Sequence, residues 1–127
     1  MEVPLRDLSP LTLAFVGDVV YELLAREHIV AQGNCPVKKL NAKKVELVCC
    51  QAQAKALRQL WPQLTEAERD TALRGRNAHV GHVPKNATVE DYHSATALEA
   101  LFGWLHLQGE SARLRQLFAW IIGEDTP

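Results

Sequence analysis

Leu11-Thr-Leu-Ala-Phe-Val-Gly-Asp-Val-Val-Tyr-Glu-Leu-Leu24 is an apolar run with an acid, Asp18, at its middle. Ser9-Pro10 precedes it, an N-cap residue followed by proline at the first helical position. The run therefore reads as a helix that extends to about Gln32, where Gly33-Asn34 stops it with Pro36 just beyond. Its apolar residues go nearly all the way round, which predicts a central, buried helix. Asp18 has Leu13, Ala14, Phe15, Val16, Val19 and Val20 as neighbours, so no nearby helix face is clearly polar. An ionised carboxylate in that company needs hydrogen bonds, a cation or a metal, or it must protonate. The pattern returns at Glu99, inside Ala95-Thr-Ala-Leu-Glu-Ala-Leu-Phe-Gly-Trp-Leu105. Each run also carries a glycine, Gly17 and Gly103, of the kind that permits close backbone approach.

Outward from these two runs, every long segment reads as helix. A second helix is expected from about Val37 to Leu60, with Val37, Leu40, Val45, Val48, Ala52 and Ala56 on its apolar side. Pro62 ends it. Thr65-Glu-Ala-Glu68 is a capping box that opens a short helix to about Arg74. A polar stretch from Arg76 to Ala87 follows, and a loop of that length leans towards function. Thr88, with Asp91 three residues on, caps the helix that contains Glu99 and runs to about Leu107. Gly109 closes it, and Ser111 opens a last amphipathic helix through Leu114, Leu117, Phe118 and Ile121. No strand pattern, internal repeat or low-complexity tract interrupts this series. The expected fold class is all-α.

At 127 residues the chain is expected to form one domain over 1–127, with a core of ordinary size. Hydrophobic residues make up 47% and charged ones 23%, and no stretch approaches the ~20 apolar residues of a membrane span. The first residues lack the layout of a signal peptide. Cys35, Cys49 and Cys50 form neither a disulfide framework nor a metal-ligand spacing; they read as small core residues in a reducing cytoplasm. A net charge of −1 excludes a strongly basic nucleic-acid binder. The sign is uneven, however. Lys38, Lys39, Lys43 and Lys44 cluster, and Arg69, Arg74, Arg76 and Lys85 precede or line the polar loop. Such clusters suit either a phosphate backbone or a solvated helix face.

Two acids embedded in two apolar helices favour a shared divalent-metal site over two independent accidents. Oxygen ligands suit Mg²⁺, with Mn²⁺ as a substitute. Glu22, one turn beyond Asp18, reads as a solvated neighbour. The histidines offer no His-x-x-x-His pair on one helix, which argues against zinc; His79 and His82 in the loop suit solvent or phosphate contacts. No Gly-x-Ser-x-Gly element, reactive-cysteine context or phosphate-cradling Gly-x-x-x-x-Gly-Lys loop is present.

Leu13-Ala-Phe-Val-Gly-Asp-Val-Val-Tyr-Glu22 resembles the signature helix of the ribonuclease III family, and Leu98-Glu-Ala-Leu-Phe-Gly-Trp-Leu105 resembles that family's second motif. Arg74-Gly-Arg-Asn-Ala78, Ala52-Gln-Ala54 and Ala95-Thr-Ala-Leu-Glu99 look more specifically like its Mini-ribonuclease III subfamily, a catalytic domain without the usual double-stranded-RNA-binding domain. The resemblance covers about Leu11 to Ile122. It implies a helical endonuclease-domain bundle and a homodimer that hydrolyses double-stranded RNA with Mg²⁺, leaving 5′-phosphate and 3′-hydroxyl ends. It also implies precursor ribosomal RNA as the substrate. Asp18 and Glu99 match the family's metal-holding acids, and Phe15 matches an aromatic that packs across the dimer interface. Two positions depart from the larger family. Ala14 and Thr96 stand where it has a glutamate and an aspartate, which leaves water or Thr96 to complete the metal shell. Without a separate RNA-binding domain, phosphate contacts fall to the catalytic domain, with Lys38, Lys39, Arg74, Arg76 and Lys85 as candidates. The rival expectation is a catalytically inactive RNA-binding or scaffold protein of the same fold.

Overall fold

The computed structural model describes residues 3–78 and 81–123. Six helices follow one another: α1 (Pro10–Ala31), α2 (Val37–Val48), α3 (Cys50–Leu60), α4 (Glu66–Arg76), α5 (Val89–Leu107) and α6 (Ser111–Ile121). Short 3₁₀ turns occupy Leu5–Asp7 and Trp61–Gln63. No strand occurs among the described residues, so the all-α expectation holds.

The starts of the helices follow from their caps. Ser9 Oγ accepts the Thr12 N–H at 3.1 Å, and Thr88 Oγ1 accepts that of Asp91 at 3.0 Å. The capping box before α4 is complete: Thr65 Oγ1 accepts from Glu68 N–H, and Glu68 Oε1 accepts from Thr65 N–H. Gly33 and Gly109, just past α1 and α5, have φ of 125° and 77°, backbone that side chains rarely adopt.

α5 is the centre of the fold. It buries Ala95, Thr96, Ala97, Leu98, Ala100, Leu101, Phe102, Gly103 and Leu105, and α1, α3, α4 and α6 all pack on it. Tyr21 of α1 meets Phe102 and Phe118 edge-on, with ring centroids 5.2 and 5.7 Å apart. The expectation that α1 is the buried central helix is therefore corrected. α1 buries one side only, through Leu13, Ala14, Gly17, Tyr21, Ala25 and Ile29. Leu11, Phe15, Val19, Leu23 and Val30 on the other side are exposed. A helix apolar all round need not be buried all round when one face awaits another surface.

The single helix expected over 37–60 is also corrected. It breaks at Cys49, which is extended at φ −64° and ψ 158°. The Cys49 N–H still closes α2 on the Val45 carbonyl, and the Cys49 carbonyl accepts the first bond of α3 from Gln53 N–H, at 3.0 Å. No glycine or proline marks the break. The break lets α2 lie along α1 while α3 turns onto α5, so tertiary packing overrides local propensity.

α6 is held to the start of α4 by charge. Arg113 donates to both Glu68 carboxylate oxygens, at 2.8 and 2.7 Å, and to the Gln63 carbonyl at 3.1 Å. Burial alone would raise the Glu68 carboxyl; the bonds from Arg113 and Thr65 outweigh it and hold the group below its ordinary value.

Candidate active site

Gly17 and Gly103 set the distance between α1 and α5. A Cβ on Gly17 would overlap the Glu99 carbonyl and come within 2.8 Å of Gly103 N; one on Gly103 would overlap the Leu13 carbonyl and reach 2.9 Å from Gly17 N. The two backbones touch there, which only glycines allow. Asp18 follows Gly17 directly, and Glu99 lies one turn before Gly103. Their carboxyl groups consequently meet within hydrogen-bonding reach. The juxtaposition expected of the two acids is present.

The electrostatics of the pair are those of two acids sharing one small space. Glu99 is half-buried, and its carboxyl is pushed up to about 8, first by burial and then by the hydrogen bond and charge of Asp18. A hydrogen bond from the buried Gln53 side chain of α3 opposes that shift. Without a cation the Glu99 carboxyl is therefore biased towards its protonated form. Asp18 itself is exposed, on the side of α1 where Phe15 and Val19 are also exposed, whereas Leu13 and Ala14 are buried. The pair is an oxygen donor set open to solvent on one side, which fits a hard divalent cation that retains some of its water. Among the described residues no group of three or more His, Cys, Asp or Glu comes together as a metal site.

The two departures from the larger family have visible reasons. Ala14 is buried in an apolar cluster with Leu13 and Ala100, a place that would not suit a carboxylate. Thr96 is buried, and its hydroxyl donates to the Tyr92 carbonyl of its own helix at 3.0 Å. Its proton is thus committed away from the acid pair.

The remaining candidates are dispersed. Phe15 is 79% exposed, which rules out an ordinary core phenylalanine, and it lies one turn before the exposed Val19. Lys38 and Lys39 are exposed in the first turn of α2. Arg74 and Arg76 are exposed in the last turn of α4, where cations complement the helix dipole. Arg76 faces a cleft of about 380 Å³ with Arg58, Trp61, Glu90 and Ser94. At 100° per residue Glu90 and Ser94 stand about 180° and 140° around α5 from Glu99, so this cleft is not on the acid pair's side. Lys85 is exposed in the loop after α4, and the carbonyl of its neighbour Asn86 accepts a 2.8 Å bond from Gln51 Nε2 of α3. His82 is exposed, while His79 lies outside the described residues.

Two residues near the pair escaped the sequence reading. Gln53 touches Glu99, and a glutamine set between Ala52, Ala54 and Ala56 on a core-facing helix was the available signal. Cys50, read as a core residue, is half-buried instead, and burial together with Asp91, Cys49 and Glu99 pushes its thiol up. That proximity had no signal in the sequence.

Comparison with known proteins places the chain in a family. The family model for the ribonuclease III domain matches residues 11–110. The chain is 46% identical over 110 residues to the Mini-ribonuclease 3 of Thermoanaerobacter sp. (strain X514), covering 87% of this chain and 78% of that one. It is 42% identical over 120 residues to the Mini-ribonuclease 3 of Brevibacillus brevis, covering 91% and 90%. A crystal structure of a Fusobacterium nucleatum protein superposes with a TM-score of 0.86 at 29% identity, covering 93% of this chain and 96% of that one.

Proposed function

Because this chain belongs to the ribonuclease III family and is an endoribonuclease, we propose that it cuts structured, double-stranded RNA at Asp18 and Glu99 with Mg²⁺. Members of that family act on double-stranded RNA and are generally dependent on divalent metal. The observation that carries the site assignment is the meeting of the two carboxyl groups across the Gly17–Gly103 contact. Precursor ribosomal RNA is the proposed substrate, and cytoplasm the proposed location. No helix among the described residues is long and apolar enough to cross a membrane.

Asp18 and Glu99 would hold the cation, which supplies an activated water and offsets charge on the phosphate and the leaving oxygen, giving 5′-phosphate and 3′-hydroxyl ends. To serve as a ligand Glu99 would have to release its proton to solvent, and the touching backbones of α1 and α5 keep the two acids from drifting apart. Lys38, Lys39, Arg74, Arg76 and Lys85 are assigned to RNA phosphates, with Arg76 expected to matter least because its cleft lies elsewhere around α5. Mn²⁺ is the expected substitute metal.

The active form is proposed to be a homodimer. Phe15, Val19 and Leu23 recur every four residues on one face of α1 and are 79, 68 and 56% exposed. An apolar stripe of that kind marks an interaction surface, and a second copy of this chain is its proposed occupant.

The test is incubation of the protein with a long double-stranded RNA, with and without Mg²⁺, beside Asp18→Asn and Glu99→Gln. Mg²⁺-dependent cutting that both substitutions destroy is the expected result. RNA binding by the parent protein with no cutting would favour the inactive scaffold and point to Ala14 and Thr96 as the reason.

A further inference from the structure

The side of α3 that faces the core is made of Ala54, Ala56, Leu57 and Leu60, with one exception. Gln53 is 4% exposed among them. Burying an amide in such company is unfavourable unless the amide is bonded, and an apolar side chain would pack there without that cost. No buried side-chain nitrogen or oxygen among the described residues lacks a partner, and the Gln53 side chain reaches the Glu99 carboxyl across the α3–α5 contact. Glu99 thus interacts with both Asp18 and Gln53. The first repels its charge and the second favours it.

We infer that Gln53 is a positioning residue of the active site, whose buried amide donates to Glu99 and holds that carboxylate in the orientation that binds the divalent cation. The inference rests on the reading of Asp18 and Glu99 as metal-holding acids. Three features of the fold make Gln53 suited to the task. It is anchored in the first turn of a helix, so its backbone is fixed by the Cys49 carbonyl. It sits just after the break between α2 and α3, and that break is what turns this end of α3 onto α5. Lastly, its amide carries no charge, so it supports the carboxylate without competing for the cation. Groups that orient metal ligands from behind commonly contribute tenfold or more to metal affinity or turnover. The Ala52-Gln-Ala54 element thereby acquires a purpose: small residues let α3 come close, and the glutamine between them reaches the acid.

The test uses the full chain, free of RNA, titrated calorimetrically with Mn²⁺ at constant pH. Four proteins are compared: parent, Gln53→Met, Gln53→Asn and Asp18→Asn. Circular dichroism and thermal melting in chelator check that each is folded. Methionine keeps the length and removes the amide; asparagine keeps an amide but shortens its reach, and serves as the second variant if methionine fails to fold. Both Gln53 variants are expected to weaken Mn²⁺ binding about tenfold. Both are also expected to lower kcat on a double-stranded RNA while leaving its KM within about twofold, since no RNA contact is removed. Parent-like Mn²⁺ affinity in a folded Gln53 variant, with Asp18→Asn having lost it, would overturn this inference alone. Parent-like affinity in Asp18→Asn would overturn the reading of the site on which it rests.

Discussion

The close approach of α1 to α5 at Gly17 and Gly103 is what brings Asp18 and Glu99 together. Gly17→Ala would drive a methyl group into the Glu99 carbonyl, and the helices must separate to accept it. The expected cost is about 1–3 kcal/mol of stability by urea unfolding, typical of an overpacked contact, with a larger fractional loss of RNA cleavage because Asp18 and Glu99 part. Retention of full cleavage by Gly17→Ala protein would show that the close approach is unnecessary. Glu99 carries a second consequence. Its carboxyl is raised in the folded chain from 4.5 to about 8, so the folded state binds the extra proton. The stability this contributes is fully present below pH 4.5 and is lost as pH rises through about 8. In chelator, unfolding free energy attributable to this group should fall between those values; Mg²⁺ should restore it at the alkaline end, and Glu99→Gln should flatten the slope. A metal-free profile unchanged by Glu99→Gln would refute the coupling.

Among the elements, α6 packs on the core through Leu114, Leu117 and Phe118 and is tied to the start of α4 through one cation, Arg113. Arg113→Ala leaves the Glu68 carboxylate, 5% exposed in its side chain, without its bidentate partner, and should cost about 3 kcal/mol in urea unfolding. Glu68 is held below its ordinary value, so its contribution is present at neutral pH and lost as pH falls through that lowered value. Double-stranded RNA cleavage by the folded fraction should be unaffected, since neither Arg113 nor Glu68 bonds to Asp18 or Glu99. Half of this clamp was legible. The Thr65–Glu68 box is a local spacing; Arg113 is 45 residues from Glu68, and no local pattern links them. The same division applies to the helices. Caps at Ser9, Thr65 and Thr88 announce where helices begin, because each cap is a short-range bond. The break at Cys49 is invisible, because it is imposed by the two surfaces that α2 and α3 must each cover. α1 was misplaced at the centre for a related reason: composition reports that a face is apolar, not what will cover it. The acids stood out as charges in apolar runs, whereas Gln53, neutral and flanked by alanines, gave a weaker signal.

At the scale of the whole molecule, the exposed stripe and one acid of the pair, Asp18, share α1, with Asp18 between Phe15 and Val19 in sequence, while Glu99 comes from α5. Phe15→Asp places a charge in the stripe without touching the buried side of α1. If this stripe is the face of the proposed homodimer, analytical ultracentrifugation should show the dimer Kd of Phe15→Asp raised at least about tenfold over the parent, with circular dichroism unchanged. A Phe15→Asp protein that dimerises like its parent would assign the stripe to another partner. Whether Asp18 and Glu99 together cleave RNA is decided by single-turnover cleavage of an end-labelled RNA duplex with Asp18→Asn protein, under saturating protein and Mg²⁺. The expected rate is at least about a hundredfold below the parent, with duplex affinity within about twofold. Cleavage at the parent rate would contradict it.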